Sequence, residues 1–200
     1  MPETRVLIAG TDPTFHFSPF TFAPFYLLAP LNMRAGIALG SNIGERLAHL
    51  RTAYLKVANL SSDPAAIRCS SIYETSPVDS AAGVRSYLNA VMEIEYDRPA
   101  IALLDSLLEI ERDLGRPSKR PRNAPRTIDL DLLYLGNFTL NSPEIIIPHP
   151  RITQRRFVLE PLAEVAPKLV LPGQTRSIGD LLMGLKTEEE VTKVPEELCK

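Results

Sequence analysis

Cysteine is scarce in this 200-residue chain: there are two, Cys69 and Cys199, with no C-x-x-C pair. Isolated thiols at that spacing offer neither a zinc-ligand pattern nor a disulfide framework, so the reading is a reducing, cytoplasmic compartment with Cys69 as a small core residue. Charge of one sign is lacking too. Lys and Arg number 22 against 24 Asp and Glu, a net charge of −2. That balance argues against nucleic acid as a general partner, because such binding needs a basic surface to release counterions. No apolar run approaches the roughly 20 residues of a membrane span, so no membrane association is expected. The G-x-x-x-x-G-K-[ST] pattern is missing, which excludes a P-loop nucleotide site. What remains, 44% hydrophobic, is a globular chain sized for one well-filled core.

The first 32 residues stand apart. They hold five of the seven Phe (Phe15, Phe17, Phe20, Phe22, Phe25) and five Pro, but only Glu3, Arg5 and Asp12 as charges. They lack the basic stretch and unbroken apolar region of a secretory signal. Residues 1–32 read as a poorly ordered extension or as sequence upstream of a true start at Met33, the second being favoured. Residues 33–185 read as one catalytic domain. From Lys186 to Lys200 the chain turns acidic and aperiodic, which predicts a frayed tail.

Within the domain, Arg34 to Leu39 reads as a strand and Gly40-Ser41-Asn42 as a turn and helix N-cap. Ile43, Leu47, Leu50, Tyr54 and Val57 then mark one face of a helix ending near Ala58. Ala66 to Tyr73 reads as a second strand and Thr75 to Gly83 as a loop. Tyr87 to Tyr96 alternates as a third strand, with one core face and one partly wet face. Pro99 opens a second helix that Gly115 closes. Thr127 to Leu135 is a fourth strand, with a short extended piece near Phe138 to Leu140 and a further helix from about Arg151 to Ala163. The order strand, helix, strand, strand, helix, strand predicts an α+β fold of the ferredoxin-like split βαβ kind, an antiparallel sheet with helices packed on it.

The fourth strand carries the chemistry. Asp129 and Asp131 are two residues apart, so both side chains point the same way with Cα atoms about 6.6 Å apart. Two such charges repel by roughly 2.5 kcal/mol at an effective dielectric of 20, unless a cation intervenes or one is protonated. Mg²⁺ fits, since it is commonly held by one or two carboxylates plus substrate phosphates. Just upstream, Arg116, Lys119, Arg120, Arg122 and Arg126 form a basic run without an acid. Carboxylates for a metal beside cations for phosphates suit phosphoryl transfer, in which the protein mainly positions and stabilises charge.

Several dispersed pieces carry a family resemblance: Ile37-Ala38-Leu39-Gly40-Ser41-Asn42, Ser71-Ile72-Tyr73-Glu74-Thr75, Tyr87-Leu88-Asn89-Ala90, Ile110-Glu111 with Leu114-Gly115-Arg116, Pro125 to Asp131, Pro148-His149-Pro150-Arg151, and Phe157 to Leu162. Together they resemble 6-hydroxymethyl-7,8-dihydropterin pyrophosphokinase of the folate pathway. The resemblance implies transfer of pyrophosphate from ATP to the pterin hydroxymethyl group, releasing AMP. It implies two Mg²⁺ ions on Asp129 and Asp131, with Arg116 and Arg126 gripping phosphates as part of the catalytic set. Glu111, Lys119, Arg122, His149 and Arg155 join Arg116 and Arg126 at the ATP, and Thr75, Pro77, Val78, Tyr87, Asn89 and Phe157 line the pterin site. Loops 76–85 and 116–125 are implied to close over the substrates. The partners are these small molecules; the expected state is a monomer, with dihydropteroate synthase as the one protein associate considered. The sequence departs where the family usually has Trp-Gly before Pro-Arg: here stand Asn123 and Ala124, which removes an aromatic lid over the pterin. Leu108 stands where relatives can carry a polar nucleotide contact.

Two other readings compete. An RNA-binding domain on the same scaffold needs sheet aromatics that Tyr87 to Val91 do not supply. A two-metal nuclease or phosphatase would use the same aspartates but deliver the phosphoryl group to water.

Overall fold

The structure is a computed structural model that describes residues 32–75, 86–116 and 126–199. Pro77, Val78, Lys119, Arg120, Arg122, Asn123, Ala124 and residues 1–31 of the N-terminal extension lie outside the described residues. In chain order the elements are β1 (Met33–Ser41), α1 (Arg46–Ala58), β2 (Arg68–Cys69), β3 (Tyr73–Thr75), β4 (Tyr87–Tyr96), α2 (Ala100–Asp113), β5 (Asp129–Leu135), β6 (Leu140–Asn141), β7 (Ile146–Ile147), α3 (Arg156–Val165), α4 (Ile178–Gly184) and β8 (Val191–Lys193). The main sheet runs β5-β1-β4-β3-β8, β2 also pairs with β4, and every pairing is antiparallel. Strand β4 lies between β1 and β3, and β1 between β4 and β5, so both crossovers are split as expected.

One face of the sheet is closed by the first two helices. Ala35, Ile37 and Leu39 of β1, the even-numbered Leu88 to Ile94 of β4, Leu50, Ala53 and Val57 of α1, and Leu103, Leu107 and Ile110 of α2 form one core. Each fully buried Leu or Ile contributes roughly 1.5–3 kcal/mol. Gly115, at φ 87°, takes the left-handed turn after α2, which glycine enters without a Cβ penalty.

The second face is covered by α3, against which α4 packs, so it is wet only at its ends, where Tyr87 and Glu95 are half-buried. Val91, Leu133, Tyr134, Val158, Leu159, Leu162 and Ile178 bury together there. A register shift of β5 against Gly36 and Ile37 explains how both Leu133 and Tyr134 reach this face: the extra residue of a bulge interrupts the alternation. Asp129 and Asp131 precede the shift, and Leu133 is the residue left unpaired by it.

Other differences have local causes. Ser41 belongs to β1, and α1 begins only at Arg46 with no side-chain cap from Glu45. The expected strand from Ala66 to Tyr73 is split into β2 and β3. Between them Ser70 Oγ accepts the Val91 N–H at 3.0 Å, a side-chain bond that competes with ladder continuation. A 3-10 turn, Ile152–Gln154, delays α3 to Arg156. Helix α4 went unforeseen, although Ser177 and Asp180 form a capping box, a spacing visible in the sequence. The expected frayed tail instead contains β8, buried Leu198 and a Cys69–Cys199 disulfide. The inference of unpaired thiols is thereby corrected: residues 130 positions apart meet because the tail returns along the sheet.

Candidate active site

Three strands lay a floor of small side chains between two groups of polar ones. Asn89 on β4 is opposite Gly40 on β1, which is opposite Asp129 on β5; in the next row stand Val91, Ala38 and Asp131. A Cβ added at Gly40 would meet Asn89 Oδ1 at 3.2 Å and Asp129 Cβ at 3.9 Å. Glycine therefore keeps the passage between the amide and the carboxylate clear.

On the acidic side, Arg116 and Arg126 converge on Asp129. Arg116 lies 2.7 Å from Asp129 Oδ1 and also contacts Glu111, while Arg126 takes the second Asp129 oxygen. Glu111 is buried, and its Oε1 accepts the Leu130 N–H at 2.8 Å. The structure thus places Glu111 beneath the site, tying α2 to β5 and orienting Arg116. Asn42, expected as a helix cap, instead clamps the entry to β5: its Oδ1 accepts the Arg126 N–H at 2.6 Å and its own N–H donates to Arg126 O at 3.0 Å.

Burial pushes the Asp131 carboxyl above its ordinary range, and the charge of Asp129 adds to this, against the opposing pull of His149, Arg155 and Arg126. Burial holds His149 below its usual value, while Asp131 pulls it up and Arg155 and Arg151 push it down. The His149 N–H donates to Leu133 O at 2.8 Å, and its Nδ1 accepts the Arg151 N–H at 3.2 Å. Half-buried Arg155 lies over the Phe157 ring, 5.4 Å from its centroid. Histidine, arginine and aspartate therefore share one electrostatic neighbourhood at the start of α3.

On the other side of Gly40, Asn89 Nδ2 donates to Thr75 Oγ1 at 2.8 Å, and both residues are buried. Tyr87 is paired with Thr75 across the ladder and, like Phe157, is half-buried. Arg46 gathers this edge, reaching Glu74 Oε1 at 2.8 Å and Ser86 O at 2.8 Å, while Ser86 Oγ donates to Glu74 at 2.5 Å. Gly40 and Asn42 were missed as site-forming residues; the Arg46–Glu74–Ser86 cluster lies on the other, α1-covered face, where Glu74 pairs with Leu88. The Gly40-Ser41-Asn42 run is visible in the sequence, but its geometry depends on β5.

Among the described residues, no group of three or more His, Cys, Asp and Glu side chains is arranged to hold a metal. The donor set here is a carboxylate pair, which suits a hard cation that completes its shell with water and phosphate oxygens. A cavity of about 760 Å³ lies elsewhere, lined by Arg34, Arg68, Glu93, Tyr134 and Phe138. Its acid is already bound by Arg34 and Tyr134, so it does not compete as the catalytic site.

The profile of the 7,8-dihydro-6-hydroxymethylpterin-pyrophosphokinase (HPPK) family matches residues 36–167, which contain every element of the site. The chain belongs to the HPPK family. It is 43% identical over 140 residues to the 2-amino-4-hydroxy-6-hydroxymethyldihydropteridine pyrophosphokinase of Bacillus subtilis, covering 68% of this chain and 79% of that one. The enzyme of the same name from Haemophilus influenzae is 39% identical over 138 residues, covering 69% and 84%. A solved Plasmodium falciparum HPPK-DHPS chain with pteroate shares the fold, with TM-score 0.59 and 13% identity, over 76% of this chain and 44% of that one. The HPPK assignment agrees with the pyrophosphokinase resemblance and with the antiparallel α+β architecture. No helix among the described residues is long and apolar enough to cross a membrane.

Proposed function

We propose that this chain transfers pyrophosphate from ATP to 6-hydroxymethyl-7,8-dihydropterin in folate biosynthesis, giving AMP and the pterin diphosphate. The single observation that supports it best is the convergence of Arg116 and Arg126 on a paired Asp129–Asp131 across Gly40 from Asn89 and Thr75. Nucleotide and acceptor then occupy opposite ends of one floor.

Asp129 and Asp131 would hold two Mg²⁺ ions. The pair fits that role because burial and mutual repulsion disfavour two bare carboxylates. Bound magnesium would supply positive charge to the phosphate oxygens during transfer. The protein's own part is placement. Arg116 and Arg126 exchange Asp129 for phosphate oxygens, which their planar guanidinium groups match. Glu111 keeps Arg116 aimed through its fixed bond to Leu130. His149 and Arg155 approach the phosphates from the start of α3, and Lys119 and Arg122 would reach them from outside the described residues. Asn89 and Thr75 address the polar edge of the pterin while Tyr87 and Phe157 flank its faces, with Pro77 and Val78 completing the pocket.

We place the chain in the cytoplasm on the availability of ATP alone, since the Cys69–Cys199 disulfide removes the argument from free thiols, and take it to be a monomer. The HPPK-DHPS chain of Plasmodium makes dihydropteroate synthase the protein partner to test. Incubation with MgATP and the hydroxymethylpterin is expected to release AMP one for one with pterin diphosphate. ATP breakdown that does not need the pterin would show a hydrolase instead.

A further inference from the structure

The tail does more than cover an edge. Glu189 Oε2 accepts the backbone N–H of Arg156 at 2.7 Å and of Phe157 at 3.3 Å. Arg155, at the N-cap of α3, provides no side-chain cap of its own. The carboxylate that satisfies the first donors of the helix therefore comes from the tail, and it stands at the positive end of the helix dipole. Two residues later Val191 pairs with Thr75, followed by Thr192 with Glu74 and Lys193 with Tyr73. Lys193 Nζ meets Glu164 Oε1 of α3 at 2.8 Å, Val194 N donates to Ile72 O at 2.9 Å, and Cys199 is bonded to Cys69. One strap thus grips the helix that begins at Arg156 and Phe157 and the strand that ends at Thr75.

We infer that Glu189 is a positioning residue for the pterin pocket, fixing the first turn of α3 so that Phe157 is held at a set distance from the strand of Thr75. This rests on the pterin reading of Phe157 and Thr75 given above. Glu189 acts chiefly through two backbone donors, with its charge also felt by Arg155, and touches neither substrate. The effect therefore falls on pterin affinity more than on ATP affinity or turnover.

Full-length Glu189→Ala, Glu189→Gln, Glu189→Asp and Phe157→Ala proteins, assayed by AMP release and checked by thermal unfolding, test this. Glu189→Ala is expected to raise the pterin KM about fivefold, the usual scale of a lost helix cap, with a smaller change in ATP KM and kcat. Glu189→Gln, whose amide oxygen can still accept both N–H groups, is expected to restore the pterin KM. If Glu189→Ala does not fold, Glu189→Asp carries the test, because its shorter side chain withdraws the acceptor and raises the pterin KM. Equal rises in both KM values, or no change while Phe157→Ala raises the pterin KM, would overturn the positioning role. An unchanged pterin KM in Phe157→Ala would instead remove the pocket reading, and the inference with it.

Discussion

At one end of the sheet face covered by α3, Tyr134 lies over Gly36 and donates its hydroxyl to Glu93 Oε1 at 2.6 Å, while Arg34 meets Glu93 Oε2 at 3.0 Å. Four residues along the same strand, Gly40 lies between Asn89 and Asp129 with no ring above it in the ladder. Both ends bury acid beside glycine, but they dispose of the charge differently. Glu93 is neutralised by the protein's own cation and hydroxyl, and burial with the Glu93 charge raises the Tyr134 pKa so that it stays a donor. At Gly40, Arg116 and Arg126 address Asp129, while Asp131 is left with a carboxyl pushed up by burial and by its neighbour. An acid completed within the fold fixes its neighbours in place; the crowded acid pair is where the proposed Mg²⁺ would relieve the repulsion.

The contrast can be broken most strongly at the acid pair. Asp129→Ala or Asp131→Ala should lower turnover by at least ~10²-fold, a loss of about 3 kcal/mol of charge stabilisation; the thermal midpoint should be held or raised only in Asp131→Ala, as like-charge repulsion goes, because Asp129 also pairs with Arg116 and Arg126. Retained turnover would locate the metal elsewhere. Next in size, Glu93→Ala should lower unfolding free energy by about 2 kcal/mol by leaving the buried Tyr134 hydroxyl without its acceptor, Arg34 keeping Glu95 and Ala66 O, while kcat in the AMP assay stays near that of the parent protein. A loss of turnover without a loss of stability would erase the distinction between the two ends. The smallest change is Gly40→Ala, which should raise the pterin dissociation constant by less than about fivefold, since a Cβ 3.2 Å from Asn89 Oδ1 needs only a small shift. Titration calorimetry that showed no change would mean that the floor is wider than the ladder implies.

Much of this was legible in the chain. Strand β4 runs from Tyr87 to Tyr96 as its alternation predicts, and α2 follows Pro99 and stops before Gly115. Asp129 and Asp131 share a face because two residues is the period of a strand. Less legible were features that depend on partners far away in sequence. Asn42 looks like a helix cap until β5 arrives to take its hydrogen bonds. Nothing in the sequence around Glu111 signals that its carboxylate takes the Leu130 N–H and Arg116. The acidic tail looks aperiodic because its order comes from Thr75, Phe157 and Cys69 rather than from its own pattern.

The sequence by itself determined the strand and helix order, the antiparallel split βαβ architecture and the acid pair with its basic neighbours, because periodicity, glycine and proline act over a few residues. Only the tertiary structure decided that Gly40 separates Asn89 from Asp129, that α3 closes the second face, and that residues 189–199 strap the sheet to α3. Those outcomes rest on hydrogen bonds and packing between segments tens of residues apart, and no local pattern encodes which donor will meet which acceptor.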